Sequence, residues 1–132
     1  MRLSIRTLDG VVVVGITGVV DSDSVGHLFD ALVQCIAKGS GKLIVDLSGL
    51  HGMAPEGARG LLIAAKLASS MQGEMRICGA KPSIVSRLQG MGVSHLPQTD
   101  PDVESSLIAL SRSTVVPVQF PEGSRRSPTA KM

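Results

Sequence analysis

Aromatic residues are nearly absent from this chain. Among its 132 residues there are two phenylalanines, Phe29 and Phe120, and no tryptophan or tyrosine. Proteins that bind single-stranded nucleic acid stack bases on aromatic side chains, so an aromatic platform of that kind is excluded. The formal net charge is only +2, and Arg125, Arg126 and Lys131 cluster near the end of the chain. The sequence therefore predicts no basic face for DNA and no nucleic-acid partner.

Long apolar runs and paired cysteines are absent too. No stretch of 18 apolar residues occurs, so we expect that the chain does not span a membrane by itself. The first ten residues are typical of a strand and turn, not of a cleaved signal peptide. Cys35 and Cys78 lie far apart in apolar surroundings, without a partner at metal-ligand spacing. We expect two buried, reduced thiols, which fits a cytoplasmic protein.

Residues with reactive side chains form no catalytic or metal-binding pattern. Residues 39–42, Gly-Ser-Gly-Lys, resemble part of a phosphate-binding loop, but the first glycine of that motif is missing and Leu43 replaces its Ser or Thr. Asp21 and Asp23 are typical of turn and cap carboxylates. Three histidines have no carboxylate or cysteine at ligand spacing: His27, His51 and His95. The sequence predicts no enzyme activity, no metal and no cofactor.

Strands and helices alternate along the first 110 residues. The length and a hydrophobic content of 43% favour one compact domain. Period-two and helical patterns predict a hairpin around Asp9–Gly10 and then alternating elements. They are strands over 3–8 and 11–16, a helix over 25–38, a strand over 43–47, a helix over 55–71, a strand over 74–79, a helix over 83–91, a short strand over 93–96 and a helix over 103–110. This order predicts an α/β fold with a mixed sheet of about four to five strands and about four helices.

A strand that breaks at a loop and restarts as a helix is the most informative segment. Residues 43–47 form a β-branched apolar run, as expected for an internal strand. Gly49 and Gly52 predict a loop after it. Pro55 suits the first position of a helix, because its missing N–H would be unpaired there.

Two motifs resemble those of the STAS family, in particular its anti-sigma-factor antagonists. Thr17-Gly18 followed by Asp21 resembles the Thr-Gly-x-x-Asp turn of that family. The strand-loop-helix segment resembles the one in which Asp-Ser-Ser-Gly, or Asp-Ser/Thr-x-Gly, presents a phosphorylated hydroxyl at the helix start. Matching Gly57 to the glycine of that pattern places Glu56 at the phosphorylated position. The chain thus departs from the family pattern by lacking the acceptor.

The resemblance implies a regulatory protein-interaction domain without enzyme activity. Antagonists of this type bind a GHKL-type serine kinase that is also an anti-sigma factor, and phosphorylation abolishes the binding. A homodimer is a further option. The implied partner surface comprises Ala54, Pro55, Glu56, Gly57 and Arg59 at the helix start, with Asp21, Ser22, Asp23, Ser24 and His51 beside it. One of Ser22, Asp23 or Ser24 is expected to cap the first helix, and His51 is expected to face solvent in the loop.

Glu56 has two interpretations. Its fixed negative charge imitates the phosphorylated state in part, since phosphate carries about −1.5 to −2 charges. Alternatively, it is a helix-start carboxylate facing the positive end of the helix dipole. In both interpretations, position 56 cannot be phosphorylated and so cannot act as a phosphorylation switch.

Other functions within the same family remain open. The chain could be a STAS subunit of a lipid-transport ATPase complex or of a stress-signalling scaffold, in which phosphorylation is dispensable. A small enzyme or nucleotide binder is disfavoured by the lack of an acid-base or phosphate-binding set.

The predicted domain ends near residue 110. From Ser111 onward the chain has three prolines, many Ser and Thr residues and no sustained period. This composition is typical of a flexible C-terminal tail over 111–132, following a STAS-like domain over 1–110. As an alternative, residues 115–120 form an edge strand or a partner-binding strand.

Overall fold

A computed structural model describes residues 1–38, 41–90 and 97–115, the last four by their backbone alone. Five strands and four helices follow one another along these residues. They are β1 (Arg2–Leu8), β2 (Val11–Val20), α1 (Val25–Lys38), β3 (Lys42–Met53), α2 (Pro55–Ser70), β4 (Glu74–Cys78), α3 (Pro82–Gln89), β5 (Gln98–Asp100) and α4 (Val103–Val115). The predicted α/β class and element order are confirmed.

The strands form one mixed sheet in the order β1-β2-β3-β4-β5. β1 pairs antiparallel with β2, and every other neighbouring pair is parallel. The hairpin turn places Asp9 at φ 51° and Gly10 at φ 78°. Asp-Gly suits such a turn, because both central residues of this tight hairpin need positive φ. β1 is therefore an edge strand and β2 an interior strand.

Helices cover both faces of the sheet. Neighbouring strand residues point to opposite faces, so Val14 and Val45 belong to a core with α1, α2 and α3. Val13 and Ile44 belong to a second core, which includes Leu110 of α4. α4 thus lies on the face opposite the other three helices. This arrangement explains the nearly continuous apolar runs of β2 and β3, which are buried on both sides.

The predicted loop at Gly49 and Gly52 is wrong, because β3 continues to Met53. β2 also continues beyond the predicted end at Ile16, so Thr17 and Gly18 are strand residues. Two register shifts between the strands, after Gly15 and after Gly18, keep them paired. Gly49 is needed for close packing, because a Cβ at this position would lie 2.5 Å from Thr17 Cγ2. Glycine here permits a close strand contact instead of ending the strand.

The later elements differ in their bounds. α3 ends at Gln89 rather than at residue 91, and α4 extends past the predicted end at Leu110 to Val115. The strand predicted over 93–96 lies outside the described residues. A short strand, β5, follows at Gln98–Asp100. Residues 116–132 of the predicted tail also lie outside them.

Candidate functional site

The carboxyl end of β2 and the start of α2 meet at one end of the sheet. Val20 is paired with Met53, and the Ala54 amide donates a hydrogen bond to the Val20 carbonyl at 2.7 Å. Asp21 directly follows the first of these residues, and α2 directly follows Ala54. The structure therefore brings the two predicted parts of the partner surface side by side.

A capped turn spans Asp21 to Ser24. Asp21 Oδ1 accepts hydrogen bonds from the amides of Asp23 and Ser24, each at 3.0 Å. In return, the Ser24 hydroxyl accepts a hydrogen bond from the Asp21 amide at 3.0 Å. This reciprocal arrangement resembles a capping box. The prediction that Ser22, Asp23 or Ser24 supplies the capping oxygen is wrong, because the Asp21 carboxylate takes that role.

The ionised form of Asp21 is favoured by the same turn. The Ser24 hydroxyl donates to Asp21 Oδ1 at 3.0 Å, and this bond is the main reason that the pKa of Asp21 is lowered. The amide bonds from Ser24 and Asp23 lower it further. Asp21 is fully exposed, so it contributes a fixed negative charge to the surface beside α2.

α2 begins without a side-chain cap. Ala54 has the extended dihedrals φ −70° and ψ 158° but no oxygen to cap the helix, and Pro55 is the first helical residue. Glu56 and Arg59 are exposed, and neither forms a hydrogen bond or ion pair with any residue that the structure describes. The Glu56 carboxylate is thus available to a partner at the positive end of the helix.

Gly57 has a packing role within the predicted surface. It is buried, and a Cβ at this position would lie 2.7 Å from Val20 Cγ1 and 3.0 Å from Met53 Cγ. One turn later, a Cβ on Gly60 would lie 3.2 Å from Val25 Cγ2. Glycine at these two positions lets α2 approach β2 and α1 closely. Gly57 therefore positions its neighbours Glu56 and Arg59 instead of presenting a side chain.

His51 lies in β3, not in a loop, although its side chain is exposed as predicted. It is the extra residue between the pairs Gly18–Leu50 and Val19–Gly52, so it has no partner in β2. No hydrogen bond or ion pair joins it to the Asp21 turn or to Glu56 within the described chain. The structure thus places His51 near the end of the same strand but outside the contacts that organise the site.

Lys81 supports the site and was missed by the sequence analysis. Its Nζ donates a hydrogen bond to the Leu50 carbonyl at 2.6 Å. β3 extends past the end of β4 at Cys78, and Lys81 satisfies one backbone carbonyl of that extension. No local sequence pattern signals this contact, since 31 residues separate the two partners.

A second missed group of polar residues lies around Arg76. Its guanidinium donates to both Asp100 oxygens, at 2.7 and 3.0 Å, and to Glu74 at 2.6 Å. The Ser106 hydroxyl donates to Asp100 at 2.6 Å. Arg76 is the largest cause of the lowered pKa of Asp100, and Ser106 contributes to it. These bonds join β4, β5 and α4, so the group has a structural role.

Both cysteines are buried, as the sequence predicted. Cys35 and Cys78 are buried and free. Burial raises the pKa of Cys35, and burial together with the Asp46 carboxylate raises that of Cys78 to about 12. Among the described residues, no group of three or more His, Cys, Asp or Glu side chains could hold a metal ion. No helix in the described part of the chain is long and apolar enough to cross a membrane.

The family of the chain follows from comparison with known domains. A family model described as STAS domain matches residues 2–106. The chain belongs to the STAS domain family. The match runs from β1 into α4 and includes both the Asp21 turn and the start of α2. The resemblance found in the sequence is confirmed.

Relatives and solved structures agree with this assignment. BtrV of Bordetella bronchiseptica, named as an anti-sigma factor antagonist, is 31% identical to this STAS domain over 84 residues, which cover 64% of this chain and 72% of BtrV. The structure of RsbS from Moorella thermoacetica, in a form with a serine-to-glutamate substitution, superposes with a TM-score of 0.74 at 22% identity, covering 88% of this chain and 100% of that one. A chain of the stressosome, described as a signal integration and transduction hub, gives a TM-score of 0.67 at 24% identity, covering 84% and 98%. At these identities the two structures support the fold.

Proposed function

We propose that this STAS domain is a cytoplasmic, non-enzymatic regulator of the anti-sigma-antagonist type. Its partner is a GHKL-type serine kinase that also serves as an anti-sigma factor, and the binding surface comprises the start of α2 and the turn from Asp21 to Ser24. The observation that carries the proposal is the Glu56 carboxylate at the second position of α2, which is exposed and pairs with none of the residues that the structure describes. The relationship to BtrV supports the antagonist type.

The charge at this surface determines how a partner is held. Phosphate would add about −1.5 to −2 charges and a desolvation cost at the contact. Glu56 supplies one negative charge in a smaller, planar group, next to the ionised Asp21 turn. If the charge of Glu56 weakens kinase binding as a phosphate group would, this protein binds the kinase weakly at all times. If Glu56 only interacts with the helix dipole, binding is unaffected by its charge.

Calorimetric titration of the purified kinase with Glu56→Ser separates these two roles. Phosphate imitation predicts tighter binding by Glu56→Ser and phosphorylation-dependent release, provided that the kinase tolerates Ala54 and Pro55. A dipole role predicts unchanged affinity and a loss of about 0.3 to 1 kcal/mol in unfolding free energy, partly offset because serine suits helix starts.

Glu104 provides the matched control for that titration. It is the second residue of α4, as Glu56 is of α2, but it lies on the opposite face of the sheet. Glu104→Ser should show the stability effect and leave kinase affinity unchanged. An affinity that falls in Glu56→Ser would refute phosphate imitation, because the partner would then use Glu56 as an attractive contact.

Incubation with the kinase and ATP tests the loss of the acceptor directly. Ala54, Pro55 and Glu56 offer no hydroxyl, so mass spectrometry should find the peptide 53–59 unmodified. Stoichiometric phosphate elsewhere, for example on the exposed Ser48, would show that the acceptor has a different position in this protein.

The alternative role in a stress-signalling scaffold draws support from the folds of RsbS and of the stressosome chain. The same surface would then contact other subunits rather than a single kinase. Affinity capture from the native host distinguishes the roles: a GHKL kinase favours the regulator, a large assembly favours the scaffold, and an ATPase or permease favours a lipid-transport complex.

A further inference from the structure

The carboxyl-terminal end of β3 is longer than the strand beside it. β4 pairs with β3 from Glu74 to Cys78, and the last β3 residue in that register is Asp46. The segment after it, residues 47–53, extends past β4 and pairs only with β2 among the strands that the structure describes. This segment is the β3 overhang. A segment with few hydrogen-bond partners opens more easily than a strand paired on both sides. The overhang leads directly into α2, so its order decides how well the start of that helix is held.

The connection from β4 to α3 runs along this overhang. Gly79 follows β4 with φ 68°, a conformation that suits glycine. A Cβ at this position would lie 2.9 Å from Ser48 Cβ and 3.1 Å from Asp46 Oδ1. Two residues later, Lys81 Nζ donates its hydrogen bond to the Leu50 carbonyl at 2.6 Å. The connection therefore approaches the overhang at two points, and the second is a charge-assisted hydrogen bond, which is stronger than a bond between neutral groups.

Lys81 is itself held by a packed helix. It directly precedes the first helical position of α3, and its carbonyl accepts hydrogen bonds from the amides of Ile84 at 2.9 Å and Val85 at 3.1 Å. Ile84 and Leu88 belong to the larger core. The Lys81 side chain forms no ion pair with the described residues. Its ammonium group thus ties the weakly paired overhang to a helix that is fixed in the core.

The carbonyl that Lys81 holds lies directly before a bulge in β3. Leu50 pairs with Gly18, and Val19 pairs with Gly52, so His51 is the extra residue between these two pairs. A bulge leaves its extra residue unpaired and lets the strand bend. The hydrogen bond from α3 restricts this bend, and the bend sets the direction in which β3 approaches the start of α2.

We infer that Lys81 is a positioning residue for the partner surface. Through the Leu50 carbonyl it fixes the β3 overhang, and with it the helix start that carries Glu56 and Arg59. A surface that is ordered in the free protein loses less conformational entropy on binding. Lys81 therefore strengthens binding although it lies outside the proposed surface. The effect on binding rests on the proposed function, whereas the effect on the overhang does not.

Amide hydrogen exchange measured by NMR tests the effect on the overhang. The Ala54 amide, which donates to the Val20 carbonyl, reports the end of the overhang. The Ser105 amide, which donates to Asp102 at the start of α4, is the reference on the other face of the sheet. Lys81→Met removes the donor and keeps an apolar stem. We expect the exchange rate of Ala54 to rise roughly tenfold, which corresponds to about 1.4 kcal/mol of local opening, while the rate at Ser105 stays the same.

Two further variants separate the hydrogen-bond donor from the charge. Lys81→Arg keeps a donor and should retain the wild-type exchange rate at Ala54. Lys42→Met removes the same charge at the other end of β3 and should also leave that rate unchanged. An Ala54 rate that does not rise in Lys81→Met overturns the inference. A rise that either Lys81→Arg or Lys42→Met reproduces, or that Ser105 shares, overturns it as well.

Calorimetric titration of the purified GHKL kinase tests the effect on binding. Lys81→Met should bind about three- to tenfold more weakly than the wild type, because a loosened helix start has to be ordered on binding. Lys81→Arg should bind as the wild type does. Unchanged affinity in Lys81→Met overturns the positioning role. A wild type that does not bind the kinase contradicts the proposed function instead, and the Ala54 exchange rates then still decide whether Lys81 holds the start of α2.

Discussion

At the scale of single residues, Gly57 illustrates how a motif position can serve packing. The resemblance places it inside the partner surface, but it is buried where α2 passes the end of β2. The exposed residues on either side, Glu56 and Arg59, supply the charges. Loss of this close contact would move the start of α2 relative to the Asp21 turn.

Gly57→Ala should lower the free energy of unfolding by about 1 to 3 kcal/mol, the usual cost of overpacking, because its Cβ would lie 2.7 Å from Val20 Cγ1. Urea unfolding monitored by circular dichroism measures the change. Gly26→Ala in α1 is the control: a Cβ there meets nothing within 4 Å. The Gly26→Ala protein should have a free energy of unfolding higher by roughly 0.5 to 1 kcal/mol, since alanine favours the helical conformation more than glycine does. A Gly57→Ala protein as stable as the wild type would show that β2 and α2 can separate freely.

At the scale of elements, the Arg76 group holds a short strand in place. β5 has three residues and so contributes few ladder hydrogen bonds. Asp100, its last residue, accepts both bonds from Arg76 and one from Ser106, and both charged side chains are 13% exposed. The attachment of β5 and α4 therefore depends on charge-assisted hydrogen bonds as well as on apolar burial.

Asp100→Asn should cost about 2 kcal/mol of unfolding free energy at pH 7, as expected for lost hydrogen bonds to charged groups. The pKa of Asp100 is lowered in the fold, mainly by Arg76. Its contribution is thus present above the unfolded pKa of about 3.9 and is lost as the pH falls through the lower folded value.

Urea unfolding of both proteins at a series of pH values measures this dependence. The gap between wild type and Asp100→Asn should narrow in acid. Asp30→Asn is the control, because the Asp30 carboxylate is exposed on α1 and forms no hydrogen bond or ion pair with another described residue. If the difference in unfolding free energy between wild type and Asp100→Asn stays constant as the pH falls below the pKa of Asp100, the role given to the Asp100 charge is contradicted.

At the scale of the whole molecule, the described residues form two cores, and all of their members lie within the first 110 residues. The larger one joins β2 and β3 to α1, α2 and α3, and the smaller one lies under α4. α4 is part of the folded unit, although its last turn falls in the region predicted as tail.

A chain ending at Val115 should unfold in one cooperative transition, with a melting temperature lower by about 5 °C or less, because the described residues of both cores lie before residue 111. Differential scanning calorimetry measures both properties. A chain ending at Asp102, which lacks α4, should lose the cooperative transition, since Val13, Ile44 and Cys78 become exposed. A melting temperature far lower in the chain ending at Val115 would place later residues within the core.

The sequence alone determined the features that depend on near neighbours. The Asp9–Gly10 turn and the helix start at Pro55 were predicted, because each follows from backbone preferences within a few residues. The spacing of apolar residues also predicted the order of strands and helices. The family followed from two short motifs for the same reason.

Only the tertiary structure decided the features that need partners far apart in the chain. The sequence predicts a loop at Gly49, yet this residue lies in a strand, where Thr17 of the neighbouring strand approaches it closely. Arg76 meets Asp100 over a separation of 24 residues, which no local pattern records. Packing against distant elements overrides local preference where a strand is paired on both sides, and it alone selects which face of the sheet a helix such as α4 covers.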